Sequence, residues 1–514
     1  MIAKVDLEEV LQVAGRNGDF VEVFMERSTQ TRVSMEAGKI ERVISGRDQG
    51  AGIRVVRGEN TAYGYTTDLT RDGLIKLAHQ VAVGGQDDAQ NSKLSTESGD
   101  MSNNVETAGK TGFEIGAGLK AKAEAQTEGG AVPGAAETPT PIVLQKRESL
   151  VSLPIEQRPD KVGIDRKVAL VKEAEQAARS KDEQLIRQVS AGYADIIQQV
   201  TIANSEGVYV EDERVRSRLV VHVVASDGKV IQTGYDSAGG TKGFELFEEV
   251  KAADLGMRAA ERALLMLKAR RAPAGRMDVV ISGEAGGTMI HEACGHGLEA
   301  DLVQKNLSVY AGRKGEQVAS ELVTVIDDGT ISGKYGSFRF DDEGNPAQRN
   351  VLIEKGILQK FMYDRITSQK DGVNPTGNAR RETFRYRPIP RMSTTYLAPG
   401  EHSPEEIIRE TDSGLFVRRM GGGQVNTTTG DFVFEVLEGY LIKDGKIDEP
   451  VRGATLTGNG PEVLQKIDRV GNDPGFTIGT CGKDGQGVPV SDAQPTIRIP
   501  DLVVGGILED EGDN

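Results

Sequence analysis

The sequence contains no tryptophan, two cysteines and five histidines in 514 residues. So few cysteines exclude a disulfide framework and point to a reducing compartment. Aromatic residues make up only 5% of the chain, so any core must rest on aliphatic side chains. No stretch approaches the roughly 18 consecutive apolar residues of a membrane-spanning helix. A basic block is missing too. Lys and Arg number 62 against 78 Asp and Glu, a net charge of −16, which argues against a nucleic-acid partner or docking on anionic lipid. Residues 1–10 read as the acidic start of an amphipathic helix and lack the basic region and apolar core of a signal peptide. These absences together describe a cytoplasmic protein that binds neither nucleic acid nor membrane.

The length predicts two to four domains. Residues 31–66 read as a meander, with short alternating strands at 32–36 and 40–44 and a second pair at 52–56 and 61–65. A helix follows over 70–83. From 84 to 141 the chain turns to Ala, Gly, Ser, Thr, Glu and Asn with Phe113 as its one aromatic, a composition expected of an insertion or linker that buries too little apolar surface to order itself. A second α+β unit spans 142–272, with a helix over 165–180, strand-rich stretches to 235 and a long helix over 244–270. The remainder, 273–514, is strand-rich and punctuated by glycine. The expected fold class is α+β, with two small N-terminal units, 1–83 and 142–272, before a strand-rich C-terminal domain.

Two of the five histidines share one hexapeptide, His291-Glu292-Ala293-Cys294-Gly295-His296. Two imidazoles that grip a metal, beside a carboxylate that accepts a proton from water, are the vocabulary of a hydrolytic zinc site. The spacing is one residue longer than the common H-E-x-x-H. At about 100° per residue, positions five apart end roughly 140° apart on a regular helix, too far to hold one ion. A metal site therefore requires a local i→i+5 widening of the helix, which Gly295 is permissive enough to allow. Residues 278–282 read as a buried strand and 283–288 as a glycine turn, which together set this helix on a rigid base. Glu299 and Asp301 stand within two turns and are candidates to orient the histidines.

A catalytic zinc keeps three protein ligands and one open position. For the third ligand the chain offers His79, His222, His402, Glu299, Cys294 and Cys481. Cys294 shares a face with His291 on a regular helix. Cys481 lies among glycines in 476–487, where the backbone can approach another group closely, and is the best choice from the residues alone.

The segment 291–301 resembles the H-E-x-x-x-H signature of the TldD/PmbA family of metallopeptidases, on its TldD side. Downstream segments are also similar to that family, among them 341–344, 376–382, 390–392, 421–425, 469–473 and 481–486. The resemblance covers most of the chain and is closest from 275 to about 500; the 84–141 insertion is where the chain departs from the pattern. It implies one zinc ion held by His291, His296 and Cys481, with Glu292 as catalytic base. It also implies a peptidase for unfolded or small peptides, acting in a heteromer with a related subunit that lacks the metal motif. Arg380, Arg381 and Arg391 are candidates to stabilise a developing oxyanion. Two other readings compete: a non-catalytic scaffold, which has no need of Glu292, and a metal hydrolase of a non-peptide bond.

Brief proteolysis is expected to nick the chain first within 84–141 and leave a stable fragment that begins near residue 150; N-terminal sequencing of the early fragments checks this.

Overall fold

The structure is a computed structural model that describes residues 4–58, 60–83 and 141–506. The expected insertion, apart from Pro141, lies outside the described residues. The fold is α+β. Its first layer is a seven-stranded sheet in the order Asn60–Thr66, Lys39–Arg57, Phe20–Glu36, Ile186–Asn204, Val208–Ser226 and Gln145–Lys146, with Ile231–Gly240 also paired to Val208–Ser226. Strands from before and after the insertion are direct neighbours: Glu22 pairs with Asn204 and Glu36 with Ser190 along one uninterrupted register.

The strands are longer than local pattern suggests. Residues 40–44 and 52–56 belong to one 19-residue strand, Lys39–Arg57. The intervening Ser-Gly-Arg-Asp-Gln-Gly has no apolar alternation, but each residue continues the ladder against Phe20–Glu36. Pairing overrides weak strand propensity there. The expected helix over 244–270 is likewise two pieces, Leu246–Glu249 and Ala252–Lys268.

Alternation divides the faces of this sheet. Odd-numbered Val21 and Val23 join the helices Lys4–Ala14 and Arg71–Val83 through Leu7, Leu11 and Leu74. Val33 and Met35, also odd, meet the helices Ile164–Arg179 and Ala252–Lys268. Those two helices touch closely, since a Cβ on Gly256 would lie 2.1 Å from the Ala174 carbonyl oxygen. Even-numbered Glu22, Phe24 and Glu26 face the opposite way, toward the C-terminal half, where Phe24 packs with Phe340 and Phe384.

The C-terminal half holds two further sheets. In the eight-stranded one, Ser413–Val425 pairs with both Gly275–Ile281 and Asp431–Lys443, so its strands close into a ring. The six-stranded one ends in Thr394–Leu397, Gln486–Gln494 and, at its edge, Gly475–Lys483. A hydrophobic core, mostly aliphatic, lies between them, with Met289, Ile290, Ala293 and Cys294 inside it. Among the described residues, no helix is long and apolar enough to cross a membrane.

The seam between the first sheet and the C-terminal half is ionic and buried. Arg54 donates to Glu22 at 2.9 Å and to Glu343 at 2.6 Å. Arg214 donates to Asp342 at 2.6 Å. Removing one member leaves the others buried and uncompensated, at a cost of about 3–5 kcal/mol. Arg54→Met is therefore expected to lose that much unfolding free energy in a denaturant titration; a loss under 1 kcal/mol would show that water enters the seam.

Candidate metal centre

The site begins where strand Gly275–Ile281 ends. The Ser282 hydroxyl accepts the Glu284 N–H at 3.1 Å and closes a short turn over Gly283–Ala285. Gly287 then lies against the neighbouring strand: a Cβ there would sit 2.2 Å from the Ala493 nitrogen. Only a residue without a side chain lets the helix start this close to Asp492. One turn, Thr288–Ile290, leads into a π-helical segment, His291–Gly295, and the His296 N–H donates to the His291 carbonyl. This is the i→i+5 bond that the spacing requires. Gly295 has an ordinary helical φ of −51°, so conformational freedom is not its reason. Its Cβ would lie 2.2 Å from the Met392 sulfur, and close packing is what excludes a side chain.

Widening a helix frees carbonyls, and side chains take them up. The Tyr310 hydroxyl donates to the Ala293 carbonyl at 3.0 Å and the Ser308 hydroxyl to that of Gly297 at 2.5 Å.

The two rings end edge to face, with centroids 4.9 Å apart. Donor atoms of His291, His296 and Cys481 all lie within 4.8 Å of one another, and the Cys481 sulfur is 3.5 Å from His296 Nε2. Each outward nitrogen has a carboxylate: His291 Nδ1 meets Asp492 at 2.7 Å and His296 Nδ1 meets Glu299 at 3.1 Å. Holding Nδ1–H in this way leaves Nε2 as the free ligand atom. Cys481 and Asp492 come from the two strands of one hairpin, Gly475–Lys483 and Gln486–Gln494. Zinc ligands at about 2.0–2.3 Å and tetrahedral angles lie roughly 3.3–3.8 Å from each other, within the spread found here. The donor set fits zinc.

The charges are arranged accordingly. Burial favours the neutral thiol of Cys481, but His291 and His296 outweigh it and bring the pKa down to about 5. Burial alone acts on Cys294, whose thiol is pushed up to about 12 and contacts the Ile290 carbonyl at 3.3 Å. Burial disfavours charge on His296 as well, yet Glu299 and Cys481 lift it to about 9. Glu299 is held down at about 2, because Lys483 at 2.9 Å and His296 overcome its burial. Glu292 lines the adjacent cleft and makes no hydrogen bond or ion pair with another described residue. Burial raises its pKa, with the two histidines opposing.

The remaining candidates separate. His222 lines the far side of the same cleft, 4.6 Å from the Tyr235 ring. His402 contacts the Val470 carbonyl at 3.1 Å, and His79 is exposed on its helix. Asp301 pairs with Lys483 at 2.6 Å rather than with a histidine. The three arginines proposed for an oxyanion do not line the cleft. Arg391 holds the Cys481 carbonyl at 2.5 Å, Arg380 holds those of Met392 and Pro489, and Arg381 is paired with Glu22. Sequence reading missed Asp492. The signal was present: Asp484-Gly485 joins two alternating runs as a hairpin turn, and its register sets Thr477 opposite Asp492.

With metal removed by chelation at pH 7, iodoacetamide is expected to modify Cys481 and leave Cys294 untouched. The rate should stay level down to about pH 6, because a lowered thiol pKa keeps the thiolate present above about 5. Peptide mapping after labelling checks both.

Models of the three PmbA/TldA metallopeptidase domains match this chain: domain 1 over residues 21–82, the central domain over 157–267 and the C-terminal domain over 274–506. A metalloprotease TldD homolog of Haemophilus influenzae is 35% identical over 96% of this chain and 94% of its own length. A metalloprotease of Methanothermobacter thermautotrophicus is 36% identical over 95% and 96%. A zinc metalloprotease TldD homolog of Saccharolobus solfataricus is 32% identical over 63% of this chain and 72% of its own length. TldE from Thermococcus kodakarensis shares the fold with a TM-score of 0.72 at 17% identity, over 98% of this chain and all of that one. Matched from its first sheet to its last, and with relatives named as metalloproteases along nearly its whole length, the chain belongs to the PmbA/TldD family and is a metallopeptidase.

Proposed function

We propose that the chain is a zinc-dependent peptidase for unfolded or small peptides. One ion is held by His291, His296 and Cys481, and Glu292 is the general base. The observation that carries this reading is the convergence of those three donors beside Glu292 in one cleft of about 1210 Å³. When bound, zinc supplies Lewis acidity toward a carbonyl and toward water. Glu292 takes a proton from the attacking water and gives it to the leaving amine. Its half-buried position and free carboxylate suit both transfers.

An extended peptide has a natural place. Among the described residues, strand Gly475–Lys483 is the edge of its sheet and pairs only with Gln486–Gln494. Gly421, Gly422 and Gly423 line the cleft with it. A substrate added there is read through backbone hydrogen bonds more than side chains. A folded domain offers no such free strand, so unfolded chains are the substrates. The two cysteines are both free thiols, which suits the cytoplasm. The partner in this reading is a homologous, metal-free subunit, and the shared fold of TldE supports it.

Elemental analysis and peptide hydrolysis test the assignment together. Cys481→Ala is expected to lose zinc and Cys294→Ala to keep it. Glu292→Gln should retain zinc and lose hydrolysis by about 10²–10⁴-fold. Cleavage at the normal rate by Glu292→Gln would overturn the base assignment. Adding the metal-free homologue should raise turnover of unfolded peptides and leave folded proteins intact. An ester substrate cleaved in preference to every peptide would favour the non-peptide hydrolase instead.

A further inference from the structure

Two buried arginines in the seam, Arg216 and Arg380, form no ion pair among the described residues. Arg216, on strand Val208–Ser226, is 5% exposed, and Arg380 is 4% exposed. Arg216 donates its Nε–H to the Tyr335 carbonyl at 3.1 Å, and its two terminal nitrogens have no hydrogen-bond partner among the described residues. Arg380 points both terminal nitrogens at carbonyls, those of Met392 at 2.5 Å and Pro489 at 2.6 Å.

The acids nearby are already engaged. Asp342 accepts from Arg214 at 2.6 Å and from the Arg381 backbone at 2.7 Å. Asp212 is taken by Arg339 at 3.1 Å and faces Arg214 at 3.5 Å. Asp341 accepts from Asn345 and two further backbone amides. A buried cation without a partner costs several kcal/mol, and a guanidinium cannot shed its charge as a lysine can.

Arg214, Arg216, Arg380 and Arg381 line one small cavity of about 30 Å³ together with the engaged Asp341 and Asp342 and with Glu382, whose carboxylate accepts the Gly487 N–H at 2.6 Å. A single water needs roughly 10–15 Å³ of such space, so the cavity has room for one small ion or about two waters. We propose that this cavity is a binding site for one compact anion, chloride in the cell, held by the terminal nitrogens of Arg216 and by the field of Arg380. The anion supplies the missing counter-charge where the first sheet meets the C-terminal half. It also fixes Arg380, whose two carbonyl partners lie behind the metal site: Met392 packs on Gly295, and Pro489 shares a strand with Asp492.

The test uses the full chain. Sodium chloride replaces sodium gluconate at constant total salt while the melting temperature is recorded. A saturable rise of a few degrees is expected, as for any ligand of the folded state, and bromide should reproduce it. Arg216→Gln keeps a donor for Tyr335 and should lose the chloride dependence. Crystals of the unaltered protein grown in bromide give a reading that needs no variant: an anomalous peak within hydrogen-bond distance of Arg216. A cavity holding water only, with no bromide signal, would overturn the proposal. So would a melting temperature that responds equally to chloride and gluconate, or an undiminished chloride response in Arg216→Gln.

Discussion

The hydrogen bond from the His296 N–H to the His291 carbonyl spans five residues, and the geometry of the candidate metal centre depends on it. On a regular helix the two imidazoles would diverge by roughly 140°. One wider turn brings them back to the same side. That turn survives because its surroundings hold it: Tyr310 satisfies the freed Ala293 carbonyl, and Gly295 gives way to Met392. Gly460 presses against the same Ala293 carbonyl, where a Cβ would approach to 2.2 Å. The irregular helix is therefore built into the core rather than resting on its surface.

Charge is arranged around that turn in two shells. Inside, two imidazoles face one thiolate. Outside, Asp492 and Glu299 hold the Nδ1 protons, and Lys483 balances Glu299 and Asp301. Each outer group comes from a different element, so the ring orientations report the docking of the hairpin on the helix. A shift of that hairpin would move Cys481 and Asp492 together. Arg391 opposes such a shift by gripping the Cys481 and Gln486 carbonyls from below.

Much of this was legible in the residues. The five-residue spacing demands the widened turn, and the flanking glycines favour Cys481 modestly over Cys294; the structure brings the Cys481 sulfur to His296. Periodicity likewise gave the α+β class. What local pattern could not carry was pairing between distant segments. The continuous ladder between Phe20–Glu36 and Ile186–Asn204 joins strands on either side of a long low-complexity stretch, and nothing in either run names its partner. The arginines depart from expectation for a related reason. Arg380, Arg381 and Arg391 lie in motifs beside the site, and only the three-dimensional packing turns their guanidiniums away from the cleft and into carbonyls and buried acids.

Access to the centre is set by both halves of the molecule. The hairpin that carries Cys481 and Asp492 touches the first sheet, where Gly239 leaves room for Ile478: a Cβ on Gly239 would lie 2.6 Å from it. Tyr235, Ser237 and His222 of that sheet form the wall facing His291 and Glu292. The cleft is thus a gap between two bodies whose mutual position is fixed by buried ion pairs, Arg54 with Glu22 and Glu343, and Arg214 with Asp342. Buried ion pairs add little net stability against well-packed apolar groups, but they tolerate few alternative registers. Such a seam suits an enzyme that must hold a narrow opening to a fixed width. Apolar packing alone would let the sheets slide, whereas a displaced guanidinium here would strand its carboxylates without water.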